Sequence, residues 1–324
     1  MKISVTIATH NRVELLLRTL DSLFCADWSV VDECPEIIVV ENACTDGTVE
    51  AVLRIIEEVR CNGARCAGDR PIVSGRCGTG LECRVVSEPR VGLGWARRRC
   101  VEESSGDIVA FLDDDVLVDP QWPRGLVSAF AEPAVGAAGG RVIGWWEACA
   151  RPEWLTPDLE WVVSLYDKGT LFRRQEVPEG IGANFAVRRK VFDVVGSFDG
   201  ELGRCGKKLS GGEESDLFRR IAAAGFLGVY AGPMMVAHWV APSRLESSYF
   251  ARIAYHYGQT RIAIRGRGRG LPYLRSVFGH AALWGGFRLA SLWARCRGWE
   301  CDARRWLVRS QIGRGGLAAL LLTR

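Results

Sequence analysis

Short apolar runs alternate with helically spaced apolar positions along the first third of the chain. Ile3–Thr9 (ISVTIAT) is β-branched and continuous, the pattern of a strand buried on both faces. Glu14–Phe24 follows with Leu15, Leu16, Leu20 and Leu23 at helical spacing. Glu36–Glu41 (EIIVVE) predicts a second buried strand, and 42–48 a turn in which Thr45 caps a helix starting near Asp46. Cys83–Ser87 predicts a third strand, Gly94–Glu103 a helix and Ile108–Leu112 (IVAFL) a fourth strand. Strands alternating with helices in this way predict βαβ units and a parallel sheet. Ligands of such sheets bind beyond the carboxyl ends of the strands. That singles out Thr9 to Arg12, Glu41 with Asn42, and Asp113 to Asp115.

Residues 59–82 break the rhythm and read as a long loop. Cys61, Cys66, Cys77 and Cys83 fall in or beside it, but without any C-x-x-C pair the spacing favours incidental thiols over a zinc site. Further on, Ala137–Ile143 predicts a strand and the Trp-rich, Pro-broken stretch from Trp145 to Trp161 a loop. Val187–Val195 and Glu214–Ala224 predict helices, and Phe226–Tyr230 a short strand. From Ser248 onward the pattern is helical and rich in arginine.

Charge divides the chain where the pattern does. The formal net charge over 324 residues is +4. Residues 1–243 carry 27 basic and 35 acidic side chains, whereas 244–324 carry 15 arginines and three acids, Glu246, Glu300 and Asp302. An acidic body of 1–243 and a basic helical tail of 244–324 is therefore the expected domain organisation. The tail alone calls for an anionic partner. A uniformly basic nucleic-acid binder is excluded. The leading apolar run is too short for a secretory signal, and no uncharged stretch reaches the length of a spanning helix. A reducing compartment with mostly free thiols is the expectation for the 12 cysteines.

Four groups of residues carry candidate chemistry. Asp113, Asp114 and Asp115 sit directly behind an apolar strand, where three like charges repel strongly. They suit a hard divalent cation that also binds phosphate, or form a solvated turn capping the helix near Asp119-Pro120. Glu213, Glu214 and Asp216 follow Gly211-Gly212 and open a helix. They are dipole partners of that helix, or one of them is a general base. His238 follows a strand-like region and is either structural or a ligand. Arg97, Arg98 and Arg99 form a solvated face or aim one guanidinium at a phosphate.

The order ISVTIATHNR, IIVVENACTDGT, VGLGWARRRCVEESSGDIVAFLDDDVLVDP, GANFAVRRKVFDVVGSFDGELG, GGEESDLFRRIAAAG and VYAGPMMVAHW closely resembles the inverting family-2 glycosyltransferases over about residues 1–260. The resemblance implies the GT-A fold for nucleotide-diphospho-sugars, an α/β Rossmann-like, mostly parallel sheet, here with a C-terminal helical extension. It implies nucleotide or donor contacts from Thr9, His10, Arg12, Glu41, Arg97, Asp113 and Asp114, with His10 where an aromatic Tyr is common. Glu41 stands where an Asp is usual, and Arg98 where an Asn follows the family's Arg. Asn184 falls near the donor sugar or the acceptor. Asp115 with Asp113 and His238 would hold Mn²⁺ or Mg²⁺. Glu214 stands in the place of the catalytic base, with Glu213 beside it as the alternative.

An activated sugar needs its diphosphate leaving group stabilised and the acceptor hydroxyl deprotonated from the opposite face. A metal-dependent, inverting transferase using a UDP-sugar is the resulting expectation. The alternative is a catalytically inactive sugar-nucleotide or glycan-binding protein on the same fold. Trp145, Trp146, Trp154 and Trp161 stand on the expected acceptor side, as sugar platforms or as packing. In the tail, Arg288, Arg295, Arg297, Arg304, Arg305 and Arg309 surround Trp293, Trp299 and Trp306. Arg with Trp on helices suits an anionic membrane surface over residues 270–324, or a packed extension with a solvated Arg face. A nucleic-acid partner fits the acidic body poorly. The expected location is cytoplasmic and peripheral, on the inner face of the plasma membrane, with a lipid-linked or cell-surface glycan as acceptor.

Overall fold

The computed structural model describes residues 1–62, 81–206, 211–265 and 271–322. The chain forms two compact units. Unit 1 comprises Met1–Trp145, Ser164–Glu201 and Glu213–Trp239; unit 2 comprises Trp146–Val163, Leu202–Gly212 and Val240–Arg324.

In the first unit, β1 (Ile3–Thr9) leads to α1 (Val13–Phe24), β2 (Glu36–Glu41), α2 (Thr48–Asn62), β3 (Glu82–Ser87), α3 (Leu93–Glu103) and β4 (Ile108–Asp113). Then come β5 (Val116–Val118), α4 (Trp122–Ala129), β6 (Val135–Trp145), β7 (Phe172–Gln175), β8 (Asn184–Arg188), α5 (Arg189–Val195), α6 (Glu213–Ala223) and β9 (Leu227–Trp239). The sheet order is β3-β2-β1-β4-β8-β6-β9-β5, with β7 also on β9. Strands β1, β2, β3, β4, β6 and β9 share one direction, and β5, β7 and β8 run against it. The sheet is thus mostly parallel, and the loops after β1, β2 and β4 open on one edge of it.

Burial follows the apolar runs. Every residue of β2 is buried, and β1 and β4 each leave a single partly exposed position. One core face joins Ile38, Phe111, Phe185 and Leu217, with the Phe111 and Phe185 rings stacked at 4.6 Å. Leu16, Leu20 and Leu23 of α1 are fully buried as their spacing requires, and Trp122 is also fully buried. At about 25 cal/mol per Å², such side chains each contribute roughly 1.5–3 kcal/mol.

Several local expectations change. Thr45 is not a helix cap; its amide donates to Asn11 Oδ1 at 2.7 Å, and Asp46 accepts from the Thr48 hydroxyl at the start of α2. Val187 belongs to β8, whose ladder to β4 and β6 outweighs its helical spacing. The short strand at 226–230 is the first part of the 13-residue β9, whose register against β6 shifts between Ala231 and Met235. The zinc question at Cys61, Cys66 and Cys77 lies outside the residues whose side chains are described. Eight described cysteines are free, and Cys25 is disulfide-bonded.

The second unit is helical: α7 (Ser247–Arg265), α8 (Leu271–Cys296) and α9 (Glu300–Leu322). Helix α9 packs on both α7 and α8. Close approach at its glycines makes this possible. A Cβ on Gly313 would lie 2.7 Å from the Trp284 nitrogen of α8, and one on Gly315 would overlap the Tyr255 carbonyl of α7. Trp154 packs edge-on to Phe250 beneath the Arg304 guanidinium, and Trp161 packs on Tyr257. In the first unit Trp145 packs edge-on to Trp239. These three indoles are engaged in packing. No described helix is long and apolar enough to cross a membrane.

Candidate active site

The acid run lies where β4 ends. Asp113 is the last residue of that strand, and Asp114 and Asp115 turn the chain into β5. Strand β5 pairs antiparallel with β9 in the register Val116↔His238, and Trp239 donates its amide to the Asp115 carbonyl at 2.8 Å. This register sets His238 beside Asp115, with Nε2 3.2 Å from Oδ1. One ligand atom each from Asp113, Asp115 and His238 lie within 4.8 Å of one another. Two carboxylates and an imidazole converging in this way suit a hard or borderline divalent ion such as Mg²⁺ or Mn²⁺. Asp115 and His238 are each 1 % exposed, so the donors are preset by the fold.

The middle aspartate has other work. Asp114 accepts from Thr9 Oγ1 at 2.7 Å and from Arg12 Nη1 at 3.1 Å, and the same nitrogen reaches Asp115 Oδ2 at 2.8 Å. Burial pushes the Asp114 carboxyl up to about 6 despite Arg12 and Thr9, because neighbouring Asp115 and Asp113 add repulsion. Burial alone would lower the Arg12 guanidinium; the surrounding aspartates outweigh it and hold Arg12 above its ordinary range.

Arg97 connects this cluster to the second pair of acids. It is fully enclosed on α3, with Nη1 2.5 Å from Glu213 Oε1, and Nη2 3.3 Å from Asp113 Oδ1 and 2.9 Å from the Gly182 carbonyl. Its Nη1 also lies 3.8 Å from Glu214 Oε2. Desolvation pulls its pKa down, but Glu213, Asp113 and Glu214 together raise it above the usual arginine value. Glu213 is 3 % exposed and tied to Arg97; Glu214 is 17 % exposed and held more loosely. Five carboxylates therefore face two guanidiniums, a local excess of negative charge that a divalent cation would offset.

The structure places the remaining sequence candidates differently from one another. His10 is exposed at the end of β1, with Nδ1 2.6 Å from the Asn42 carbonyl. Glu41 is buried and accepts the Cys44 amide at 2.9 Å, fixing the turn after β2. Thr9 is buried, and its hydroxyl braces Asp114. Arg97 likewise turns inward to acids. Asn184, expected near the donor sugar or the acceptor, has its side chain engaged within the sheet. Its amide is fully buried, accepts from Trp122 Nε1 at 3.0 Å, and donates to the Arg141 and Met234 carbonyls at 3.1 and 2.8 Å, binding β8 to its neighbours.

The sequence marks Asn42 only as a polar residue beyond β2. Its Nδ2 donates to the Glu88 and Arg90 carbonyls at 2.8 Å, and its Oδ1 accepts the Gly92 amide at 2.8 Å. It thereby fixes the loop that launches α3 and Arg97. Asn11 and Ala43, just past β1 and β2, both hold φ of 53°, a strained left-handed backbone for Ala43 in particular.

The profile described as "Glycosyl transferase family 2" matches residues 4–196. The chain belongs to that family. It is a glycosyltransferase that acts on nucleotide sugars. Among characterised relatives, it is 26% identical over 265 residues to the glucosyl-dolichyl phosphate glucuronosyltransferase of Haloferax volcanii, covering 81% of this chain and 76% of that one. Solved structures share the fold. One is the mannosyltransferase PcManGT from Pyrobaculum calidifontis in complex with GDP-Man and Mn²⁺. It has a TM-score of 0.58 at 19% identity and covers 96% of this chain and 86% of that one. Another is S. aureus TarS (1–349) in complex with UDP, with a TM-score of 0.51 at 15% identity and coverage of 95% and 90%. The family match spans the strand-end acids and ends before Glu213 and Glu214, which lie on the same first unit.

Proposed function

We propose that this family-2 glycosyltransferase is metal-dependent and inverting. It moves a sugar from a UDP-sugar to a hydroxyl of a lipid-linked or cell-surface glycan, at the inner face of the plasma membrane. The observation that carries the chemistry is the convergence of Asp113, Asp115 and His238, joined through Arg97 to Glu214. Asp113, Asp115 and His238 would hold Mn²⁺ or Mg²⁺, which when bound stabilises negative charge on a diphosphate leaving group. Glu214, the more open of the paired glutamates, takes the proton from the acceptor hydroxyl. Glu213 makes the closer pair with Arg97, and Glu214 lies farther from the same guanidinium. Arg12 and Thr9 hold Asp114 away from the ligand set and fix the turn. A single displacement with one base inverts the anomeric centre, and no covalent nucleophile is needed.

Support for the acceptor and the location is of a different kind. The Haloferax relative is named for a dolichyl phosphate-linked substrate. The C-terminal segment has no acid between Glu246 and Glu300, which suits an anionic membrane surface. The structural relatives hold GDP-Man in one case and UDP in the other, so both nucleotides belong in the test.

That test is a thermal-shift screen of nucleotide sugars with and without Mn²⁺ or Mg²⁺. A specific donor at a hundred times its Kd stabilises the folded state by about 2.7 kcal/mol. One UDP-sugar is expected to raise the midpoint only with the metal, and Asp115→Ala to abolish that rise. Equal donor stabilisation in Asp115→Ala would remove the metal assignment. Donor binding without any transfer would favour a sugar-nucleotide-binding protein.

A further inference from the structure

The three C-terminal helices line an open cavity of about 610 Å³, within the usual range for small-molecule sites. Ala251, Trp284, Leu289 and Leu307 make its apolar wall, and Arg288 and Arg314 supply its charge. No acidic residue occurs between Glu246 and Glu300 or after Asp302, and Glu300 and Asp302 are bound by Arg304 and Arg305. The two cavity arginines therefore have no carboxylate counterion among the described residues. The cavity also adjoins an exposed apolar row on α8, formed by Leu274, Phe278, Leu289 and Leu292. Leu289 belongs to both features and is 70% exposed.

We propose that this groove binds an anionic lipid, with its phosphate between Arg288 and Arg314 and its hydrocarbon along Trp284, Leu289 and Leu307. Guanidinium is weakly hydrated and bonds phosphate oxygens through a fork, so the charged end is matched. The hydrocarbon removes exposed leucine and tryptophan surface from water. A nucleotide matches the groove less well, because Gln311 is the single uncharged polar side chain of its lining and the rest of the wall offers little to ribose hydroxyls.

The probes are dihexanoyl phosphatidic acid below its micellar concentration, inorganic phosphate, and phosphatidylcholine vesicles with or without phosphatidylglycerol. The full chain is expected to bind the monomeric lipid saturably, with a tryptophan fluorescence change that Trp284→Phe removes. Inorganic phosphate at the same concentration is expected to give no such signal. The exposed pair Arg288→Ala/Arg314→Ala should weaken binding of the monomeric lipid at least tenfold. The control pair Arg275→Ala/Arg295→Ala, outside this cavity, should leave it unchanged. Both pairs should lower partition onto phosphatidylglycerol vesicles, by roughly fivefold per arginine.

The proposal is overturned if the monomeric lipid does not bind, or if Arg288→Ala/Arg314→Ala binds it as tightly as the parent. It is also overturned if phosphate alone binds equally well, or if only vesicles bind and both pairs weaken that equally. Donor stabilisation with Mn²⁺ should be the same in all variants, which separates a failed groove from a failed transferase site.

Discussion

Arg97→Ala probes the link between the two acid clusters. At an effective dielectric of about 20, unit charges at the Arg97–Glu213 distance of 2.5 Å attract by roughly 7 kcal/mol, and at the 3.3 Å to Asp113 by roughly 5 kcal/mol. Burying the guanidinium offsets most of this attraction. Removing one partner is different, because Glu213 is then left charged at 3 % exposure. Arg97→Ala is therefore expected to cost about 3–5 kcal/mol. Arg97→Ala/Glu213→Gln, which removes the stranded charge, should recover about 1–3 kcal/mol. Urea unfolding followed by fluorescence reads the difference; with a slope near 2–3 kcal/mol/M, the single variant shifts the midpoint by more than about 1 M. A shift under about 0.3 M, or no recovery in the double variant, would refute the bridging role. Weakened donor binding at unchanged stability would instead mark Arg97 as a donor contact.

Glu214→Gln should keep metal-dependent donor stabilisation and lower turnover by at least about 100-fold; a smaller loss moves the base to Glu213. Ser4→Ala removes a hydroxyl donated to Glu36 at 2.5 Å. Burial raises the Glu36 pKa, but Ser4 and Ser105 outweigh it and hold it below 4.5. The carboxylate's contribution is therefore present above that value and lost as pH falls through the folded pKa. The variant should be about 1.5–3 kcal/mol less stable at neutral pH, with the gap narrowing below pH ~4; a gap that widens on acidification contradicts this. Gly315→Ala should destabilise the C-terminal helices by about 1–3 kcal/mol through overlap with Tyr255, read as lost amide exchange protection in α7 and α9. Unchanged protection there means that the helices separate at no cost.

The continuous apolar strands were legible because burial on both faces leaves a run no helix would show. Strands β5, β7 and β8 were not. β5 is three residues long, and β7 is FRRQ at the surface. The pattern of β8 merges into the helix that follows it. In the site, the acids announced themselves by position behind β4. Which of three consecutive arginines turns inward did not. Arg98 and Arg99 pair along α3 with Glu102 and Glu103, and only tertiary packing sends Arg97 to Glu213. Asn184 stood in a motif of the right order, yet three hydrogen bonds occupy its amide inside the sheet. His238 was visible as a lone histidine, but its partner depends on the β5–β9 register, a long-range pairing absent from any local pattern.

That register has a consequence for the order in which the molecule is assembled. A chain released from its template only as far as β5 holds both aspartates but no imidazole, since His238 arrives with the last strand of the sheet. Any cation affinity that needs all three ligands then reports completion of the sheet's far edge. Pairings this distant along the chain form late, after the local βαβ units. If the site takes Mn²⁺, its uptake during refolding would accordingly serve as a clock for the final closure of the first unit, lagging behind the pairing of β1 with β2.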